Sequence, residues 1–545
     1  MTNWIHKAKF YHIYPLGFLG APQYHQEEIN HRLHKIIDWI PHMKSLGINA
    51  LYLGPVFESH EHGYDTSDYR CIDHRIGTNE DFKEVCNALH EAGIRIVLDG
   101  VFNHVGRDFW AFQDVQRNGS SSKYCNWFSN LHFHAQSPLQ DPFTYDAWEG
   151  HFNLVKLNLE NEELVQYLLE SVAMWMDEFQ IDGIRLDAAD CIRPEFFKRL
   201  KDFCKHKNPD FWLMGEIIHG DYNRWANPEM LDSVTNYECY KGLYSSHNDK
   251  NYFEIAHSLQ RQFGKGGIYE HLYLYNFVDN HDVNRLASTI KDEQDLFNIY
   301  TLLFTIPGIP SIYYGSEFAL KGTKHHGSDE DLRPCLELSA LKELPITNHI
   351  QKLSAIRELP ALCNGTYEQV IVRNEQFVFS RSYKNEKIYI ACNLSSQDFS
   401  MQIPCENGIW YDVLHDQTYT SVSNNLTFII PAKQACILQK TEQASHEEID
   451  TADTTKENAP FHEEQESNNA FTVEIPEIKM GKYRHFKGKD YSVLYVATHS
   501  ETLEKYVVYR QLYGEGGVWV RPLSMFTEEV EVDGKKVPRF TYIGQ

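Results

Sequence analysis

Between residue 8 and about residue 340 the sequence repeats one pattern: a short apolar run, then a longer amphipathic stretch, then another apolar run. The apolar runs are FYHIYPL (10–16), INALYLGPV (48–56), IRIVLDGVF (94–102), IDGIRLD (181–187), DFWLMGEI (210–217), VTNYE (234–238), LYLYNFVD (272–279) and IPSIYYG (309–315). Helical patterns stand between them, as in NEDFKEVCNALHEAG (79–93) and NEELVQYLLESVAMWMDEF (161–179). The second places Leu164, Tyr167, Leu168 and Val172 on one helix face. Gly93 sits where a left-handed cap ends the first. Strands alternating with helices over this length predict a parallel α/β sheet, and eight is the number that closes a β/α barrel. The alternative is an open doubly wound sheet. Its dinucleotide-binding form wants G-x-G-x-x-G after the first strand, and YPLGFLGAP follows instead. The expected fold class is therefore α/β, a (β/α)8 TIM barrel.

About 55 residues separate the third strand from the helix near 161, far beyond the roughly 2–6 residues of an ordinary βα connection. This stretch is rich in aromatics, which favours an ordered lid or inserted subdomain at about 105–150 over a loose linker. From 363 to 440 the pattern changes to short alternating runs such as QFVFSRSY, KIYIACNL and NLTFIIP, an antiparallel β-sandwich. Residues 441–470 carry nine acidic residues against one lysine, so 441–478 reads as an acidic disordered linker. Residues 479–545 regain strand-like runs, and the Asp-Gly in VDGKKVPRF signals a hairpin in a small β-rich module. Its Tyr and Trp content suits either a glycan-binding face or the core of a small barrel. The expected domains are 1–362, 363–440, 441–478 and 479–545.

The formal charge of −25 argues against a nucleic-acid partner, which needs a basic footprint. No apolar run approaches the roughly 18 residues of a membrane-spanning helix. The start, MTNWIHKAKFYHIYPLGF, has no apolar signal core with a cleavage site, so a cytoplasmic location is expected. The eleven cysteines form no C-x-x-C pair. An odd count without a secretion signal favours free thiols, and the spacing gives zinc ligation no support.

Arg185 and Asp187 stand two apart on one strand and therefore share a face. A guanidinium beside a carboxyl favours its ionised form, so Asp187 suits a nucleophile or base; a plain structural ion pair is the alternative. Other strand ends deliver related groups. FWLMGEI places Glu216 after an apolar strand, which raises a carboxyl pKa and suits a general acid. LYNFVDNHD places His281 and Asp282, VLDGVFNHV places Asn103 and His104, and HGYDTSDY places Tyr64 and Asp65. In a barrel all of these meet at the C-terminal rim. Three carboxylates, two histidines and an aromatic, with no phosphate loop, fit glycoside hydrolysis.

The blocks LDGVFNHV, GIRLDAAD, MGEI and FVDNHD, in that order, resemble the four signature blocks of the α-amylase superfamily of glycoside hydrolases. YHIYP and GIPSIYYGSE resemble its first and last barrel strands. The resemblance covers roughly residues 8–439 and implies a barrel with an insert after the third strand and a C-terminal β-sandwich. By position it implies Asp187 as nucleophile, Glu216 as acid/base and Asp282 as transition-state stabiliser. His104 and His281 would hold sugar hydroxyls, Arg185 would position Asp187, and Tyr64 would stack under the reacting ring. Retention of configuration is implied, with the Asp187 and Glu216 carboxyls about 5–5.5 Å apart.

Many family members follow the nucleophile block with a Lys-His pair; here Asp190 and Cys191 occupy those positions, which argues against endo-cleavage of long polymers. LVKLN (154–158) resembles a block of the neopullulanase and cyclomaltodextrinase branch. The expected substrates are thus short α-glucans: maltooligosaccharides or cyclodextrins cleaved at α-1,4 bonds. Transglycosylation or isomerisation, α-1,6 cleavage and non-catalytic glycan binding are the alternatives. No cofactor is expected. The family often binds calcium through the asparagine matching Asn103, but no further ligands are evident in the sequence. The 479–545 module resembles a short bacterial domain family of unknown function.

Overall fold

The computed structural model describes residues 4–325, 328–441, 478–498, 505–514, 517–532 and 535–544. The stretch expected as an acidic linker lies, apart from its two end residues, outside the described residues. The chain divides into two units, Met1–Glu447 and Glu448–Gln545.

The first unit is built on an eight-stranded parallel sheet. Its strands in chain order are β1 Phe10–Ile13, β2 Ala50–Leu53, β3 Arg95–Gly100, β4 Gly183–Leu186, β5 Trp212–Gly215, β6 Ser233–Val234, β7 Tyr275–Asn276 and β8 Ile309–Tyr313. Their order in the sheet is β6-β5-β4-β3-β2-β1-β8-β7. A parallel bridge between Thr235 and Tyr275 joins the two ends, and the Asn236 N–H donates to the Tyr275 carbonyl at 2.9 Å. The sheet thereby closes into a barrel.

The strands are shorter than the apolar runs that announce them. Pro15 opens a short helix, Pro15–Phe18, where its fixed φ and missing N–H are tolerated. The sixth run ends early because Asn236 caps the helix Tyr237–Asn248, its side chain accepting from the Cys239 N–H. The helix Asn79–Glu91 starts on a Thr78/Asp81 capping box, and Glu162–Glu178 starts on Asn161, whose side chain accepts from the Leu164 N–H.

Alternation along each strand sorts the side chains into two cores. Tyr11, Leu51, Ile96, Leu98, Ile184, Leu213 and Ile312 join the large cluster shared with the helices. Phe10, Tyr52, Val97, Trp212, Met214, Tyr275 and Ile309 form a separate cluster that fills the lumen. Each buried side chain of this size contributes about 1.5–3 kcal/mol. Continuing the lumen parity outward gives His12, Asp99, Arg185 and Glu216, so the repeat that packs the barrel floor also aims polar groups at its rim.

After β3, the segment His104–Gly106 pairs with His151–Lys156, which also pairs with Ala147–Trp148. Helix Trp110–Asn118 and the buried Phe109, Phe112, Trp127, Phe128 and Phe143 complete an ordered insert. Further along, a six-stranded antiparallel sheet faces the pair Phe399–Pro404 and Asn425–Ile430 across a core including Tyr389, Met401, Trp410 and Phe428.

The second unit holds a five-stranded antiparallel sheet. Tyr483, Tyr509, Phe526 and Phe540 lie in its core, with Phe526 and Phe540 stacked at 4.2 Å. Much of this module's aromatic content therefore packs its interior, although Trp519 remains exposed. Strands Glu529–Val532 and Lys535–Pro538 pair as the Asp-Gly signal predicts.

Gly183 shows how tightly the barrel is wound: a Cβ there would come within 2.5 Å of the Trp212 carbonyl oxygen on the neighbouring strand. Backbone cannot give way as a flexible side chain can. Gly183→Ala should destabilise the first unit by about 1–3 kcal/mol in chemical denaturation.

Candidate active site

The chemistry gathers where β3, β4 and β5 end. β3 and β4 pair in a register that sets Asp99 opposite Arg185, and β4 and β5 set Arg185 opposite Met214. Arg185 is 2% exposed. Its Nη1 donates to both oxygens of Asp99, at 2.8 and 2.9 Å, and to Asp187 Oδ1 at 2.9 Å. Its Nη2 lies 2.7 Å from Glu216 Oε2. One guanidinium thus holds three carboxylates from three strands.

Asp187 and Glu216 are fixed by backbone as well. The Asp187 N–H donates to the Gly100 carbonyl at 3.1 Å, and the Glu216 N–H to the Leu186 carbonyl at 2.9 Å. Between them Ala188 adopts a left-handed φ of 44°, which a residue with a Cβ rarely takes. Its N–H donates to Glu216 Oε2 at 3.3 Å. The Tyr237 hydroxyl donates to Glu216 Oε1 at 3.3 Å.

Two sequence expectations need correction here. Arg185 does lower the Asp187 pKa, but it is outweighed: burial is the largest influence and pushes Asp187 well above the usual carboxylate range, with Glu216, Asp99 and Asp282 adding repulsion. Glu216 does not stand in apolar surroundings either, since a guanidinium, a hydroxyl and a backbone N–H meet its carboxylate. Asp99, Asp187 and Glu216 pair with Arg185, and Asp282 pairs with Arg333 and His281.

Asp282 differs. Burial opposes its charge, but His281, Arg333 and Arg185 outweigh that and hold its carboxyl well below the usual range. His281 Nε2 lies 2.9 Å from Asp282 Oδ2, and Arg333 Nη2 donates to Oδ1 at 3.1 Å. The Tyr64 hydroxyl bridges to Asp99 Oδ2 at 3.1 Å and to His281 Nε2, so it links the Asp282 side to the Arg185 side. The half-buried Tyr64 ring stacks on His281 at 5.4 Å between centroids. His104 Nε2 is 3.9 Å from Asp187 Oδ2. The structure therefore brings Tyr64, His104, Arg185, Asp187, Glu216, His281 and Asp282 into one connected group.

The histidines are neutral where burial controls them. His104 is pushed down to about 4, by burial first and then by the nearby His62. His12 is held well below its ordinary value by burial, His281 and Arg185. His12 Nε2, His104 Nε2 and His281 Nδ1 are buried without a hydrogen-bond partner. Such an orphan costs about 1–3 kcal/mol, which a ligand hydroxyl at the same place recovers.

Sequence reasoning missed Asp99, Tyr52, His12, Tyr237 and Arg333. Asp99 was findable, because it shares the lumen parity of Val97 and faces Arg185 across the sheet. Tyr52, which donates to Asp99 Oδ2 at 2.8 Å, follows by the same parity. Arg333 comes from a loop after β8 and has no motif around it. Asp190 and Cys191 lie exposed on the short turn Ala189–Cys191. The Asn103 amide contacts the His104 ring at 3.2 Å.

Comparison with known proteins agrees with this geometry. Residues 13–355 match the family described as alpha amylase, catalytic domain, and residues 367–437 match the maltogenic amylase C-terminal domain. Residues 481–542 match a protein family of unknown function, DUF1653. A cyclomaltodextrinase from Thermoanaerobacter pseudethanolicus is 34% identical over 379 residues, 67% of this chain and 64% of that one. An intracellular maltogenic amylase from Bacillus subtilis is 32% identical over 367 residues, 66% of this chain and 60% of that one. The matches thus span less than two thirds of either relative's length. Among solved structures, the Nostoc punctiforme debranching enzyme aligns with a TM-score of 0.68 and 29% identity over 80% of this chain and 99% of that one.

Because Asp187 is an acid whose folded-state pKa is raised, its protonated form stabilises the fold below the unfolded-state pKa. That contribution is lost as pH rises through the folded value. Asn does not titrate, and Arg185 keeps Asp99 and Glu216 as partners. Asp187→Asn should therefore melt at or above the wild-type temperature at pH 7, and the gap should close toward pH 4 in thermal scans.

Proposed function

The chain belongs to the α-amylase family of glycoside hydrolases, and on that premise we propose that it is a retaining hydrolase of α-1,4-glucosidic bonds in short maltooligosaccharides and cyclodextrins. The observation that carries the reading is the single guanidinium of Arg185 shared by Asp187 and Glu216, with Asp282 neutralised separately by Arg333. Retaining hydrolysis needs one carboxylate that attacks and one carboxyl that protonates. In this reading Asp187 supplies the attacking carboxylate and Glu216 the proton donor.

Asp187, as the carboxylate, attacks the anomeric carbon while Glu216 acts as acid and gives a proton to the leaving oxygen, and the glycosidic bond breaks. A covalent glycosyl–Asp187 ester results. Glu216, now a carboxylate, takes a proton from water, whose oxygen displaces Asp187 with a second inversion. Asp282, kept anionic, stabilises the cationic character of the ring in both transition states. His104 and His281 bond sugar hydroxyls, and the Tyr64 ring packs under the sugar face. Short substrates fit the exposed Asp190 and Cys191 at the positions of the missing Lys-His pair, and the names of the cyclomaltodextrinase and maltogenic amylase relatives support the same class. The debranching enzyme among the similar structures keeps α-1,6 cleavage as the second reading.

Among the described residues no helix is long and apolar enough to cross a membrane. Together with the relative named intracellular, this supports action inside the cell. We read 1–362 as the catalytic domain, 363–440 as its β-sandwich, 441–478 as a linker and 479–545 as an accessory module.

Purified enzyme incubated with maltotriose, β-cyclodextrin, pullulan, isomaltose and starch should release glucose and maltose fastest from the first two. Oligosaccharides longer than the substrate appearing first would replace this reading with transglycosylation, and preference for isomaltose would replace it with α-1,6 cleavage. Asp187→Asn and Glu216→Gln should each lower kcat by at least about 10⁴-fold. Full activity in either variant would remove these residues from the chemistry.

A further inference from the structure

A second cluster of ligand-type side chains lies apart from the carboxylate centre. It is built on the hairpin that follows β2, where Phe57–Ser59 pairs with Thr66–Ile72. The pairing slips on both sides of Glu58. That irregularity belongs to a residue only 6% exposed. Glu58 Oε1 accepts from the His74 N–H at 3.0 Å and lies 3.1 Å from His74 Nδ1. Its other oxygen lies 3.0 Å from His25 Nδ1. Cys71 Sγ is 3.9 Å from His74 Nε2. Ligand atoms of Glu58, Cys71 and His74 all fall within 4.8 Å of one another.

Several features set this apart from an ordinary ion pair. A buried carboxylate normally holds a lysine or arginine. Among the described residues Glu58 has none, because the neighbouring Arg75 is spent on Asp73, on the Ser59 hydroxyl and on backbone carbonyls. The donors also come from separate segments that backbone bonds already hold together. The His25 N–H donates to the His60 carbonyl at 2.7 Å, and the Asn30 N–H to the His74 carbonyl at 2.9 Å. The other grouping of this kind, Asp412, His415 and Cys436, is different. Asp412 there accepts from the Leu414 and Ile437 N–H groups and from His415, whose second nitrogen meets Gln434. Those atoms are committed to the fold.

We propose that Glu58, Cys71 and His74, with His25 as fourth donor, form a site for one zinc-type divalent ion that ties the loop after β1 to the hairpin carrying Tyr64. The sulfur and imidazole donors exclude calcium and magnesium, which take oxygen ligands. Thiolate, imidazole and carboxylate in a four-donor set suit tetrahedral zinc. Binding forms the metal–sulfur bond as the Cys71 thiol proton leaves to solvent. The ion is structural and takes no part in the sugar chemistry. Spacing in the sequence hides the site because the ligands lie on the loop after β1, on both hairpin strands and just beyond the second.

The test uses the full-length protein, stripped with a chelator and titrated with Co²⁺ and then Zn²⁺. The expected result is one equivalent bound, a near-ultraviolet thiolate-to-cobalt band, and a raised melting temperature with zinc. Cys71→Ser should lose the band and the thermal shift. His25→Ala, at an exposed position, should keep the band but bind at least about tenfold more weakly. Cys436→Ser should behave as wild type. No band in the wild type, a band surviving in Cys71→Ser, or a band lost in Cys436→Ser would each overturn the site.

Discussion

A single buried cation organises this structure's working end. Arg185 is almost wholly enclosed, and a guanidinium in that position is stable only with its charge answered and its N–H groups bonded. The β3–β4 register answers it first, because Asp99 stands directly across the sheet. Asp187 and Glu216 then share what remains of its bonding capacity. Removing Asp99 would leave the guanidinium to Asp187 and Glu216 alone. On the proposed reading Asp99 is therefore a positioning residue. The left-handed Ala188 belongs to the same device. It turns the chain directly after Asp187 so that its own N–H meets Glu216. Backbone strain at such a point persists only when its surroundings hold it, as the Gly100 and Leu186 carbonyls do here.

The barrel explains why these groups meet at all. Its floor is packed with Phe10, Trp212, Met214 and Tyr275, so the lumen is filled by side chains. The same alternation, carried past the last hydrogen-bonded residue, lifts Asp187 and Glu216 onto the rim. The insert then adds a wall. Its first strand starts at His104, and the Leu157 N–H returns to the Asn103 carbonyl at 3.0 Å, so the insert is anchored at the very residues that face Asp187.

Much of this was legible in the sequence, and the limits are physical. Strand positions were readable because each run is apolar on both faces, but their ends were not. Pro15 and Asn236 begin helices inside runs that looked like strand, and local capping overrides β-propensity there. The rim acids were readable because strand parity fixes where Asp187 and Glu216 point. Their electrostatics were not, since the Asp187 pKa depends on three other carboxylates brought from distant strands. A dipeptide argument from Arg185 alone sees one partner of many. Arg333, delivered by an irregular loop, carries no periodicity and could not be read.

The charge arrangement also restricts what can enter. Asp99, Asp187, Glu216 and Asp282 gather around Arg185, Arg333 and His281, an arrangement that disfavours an anionic ligand. A cation would compete for carboxylates already committed to those arginines. His12 and His104 are uncharged, and they offer unpaired ring nitrogens rather than charge. A ring nitrogen in that state accepts from or donates to a hydroxyl with nearly equal ease. An uncharged ligand rich in hydroxyls, with an apolar face for Tyr64, is thus the chemistry that meets every group without an electrostatic penalty. On the proposed reading, selection by charge and by hydroxyl pairing would thus precede the reacting bond, and it would follow from strand register and burial.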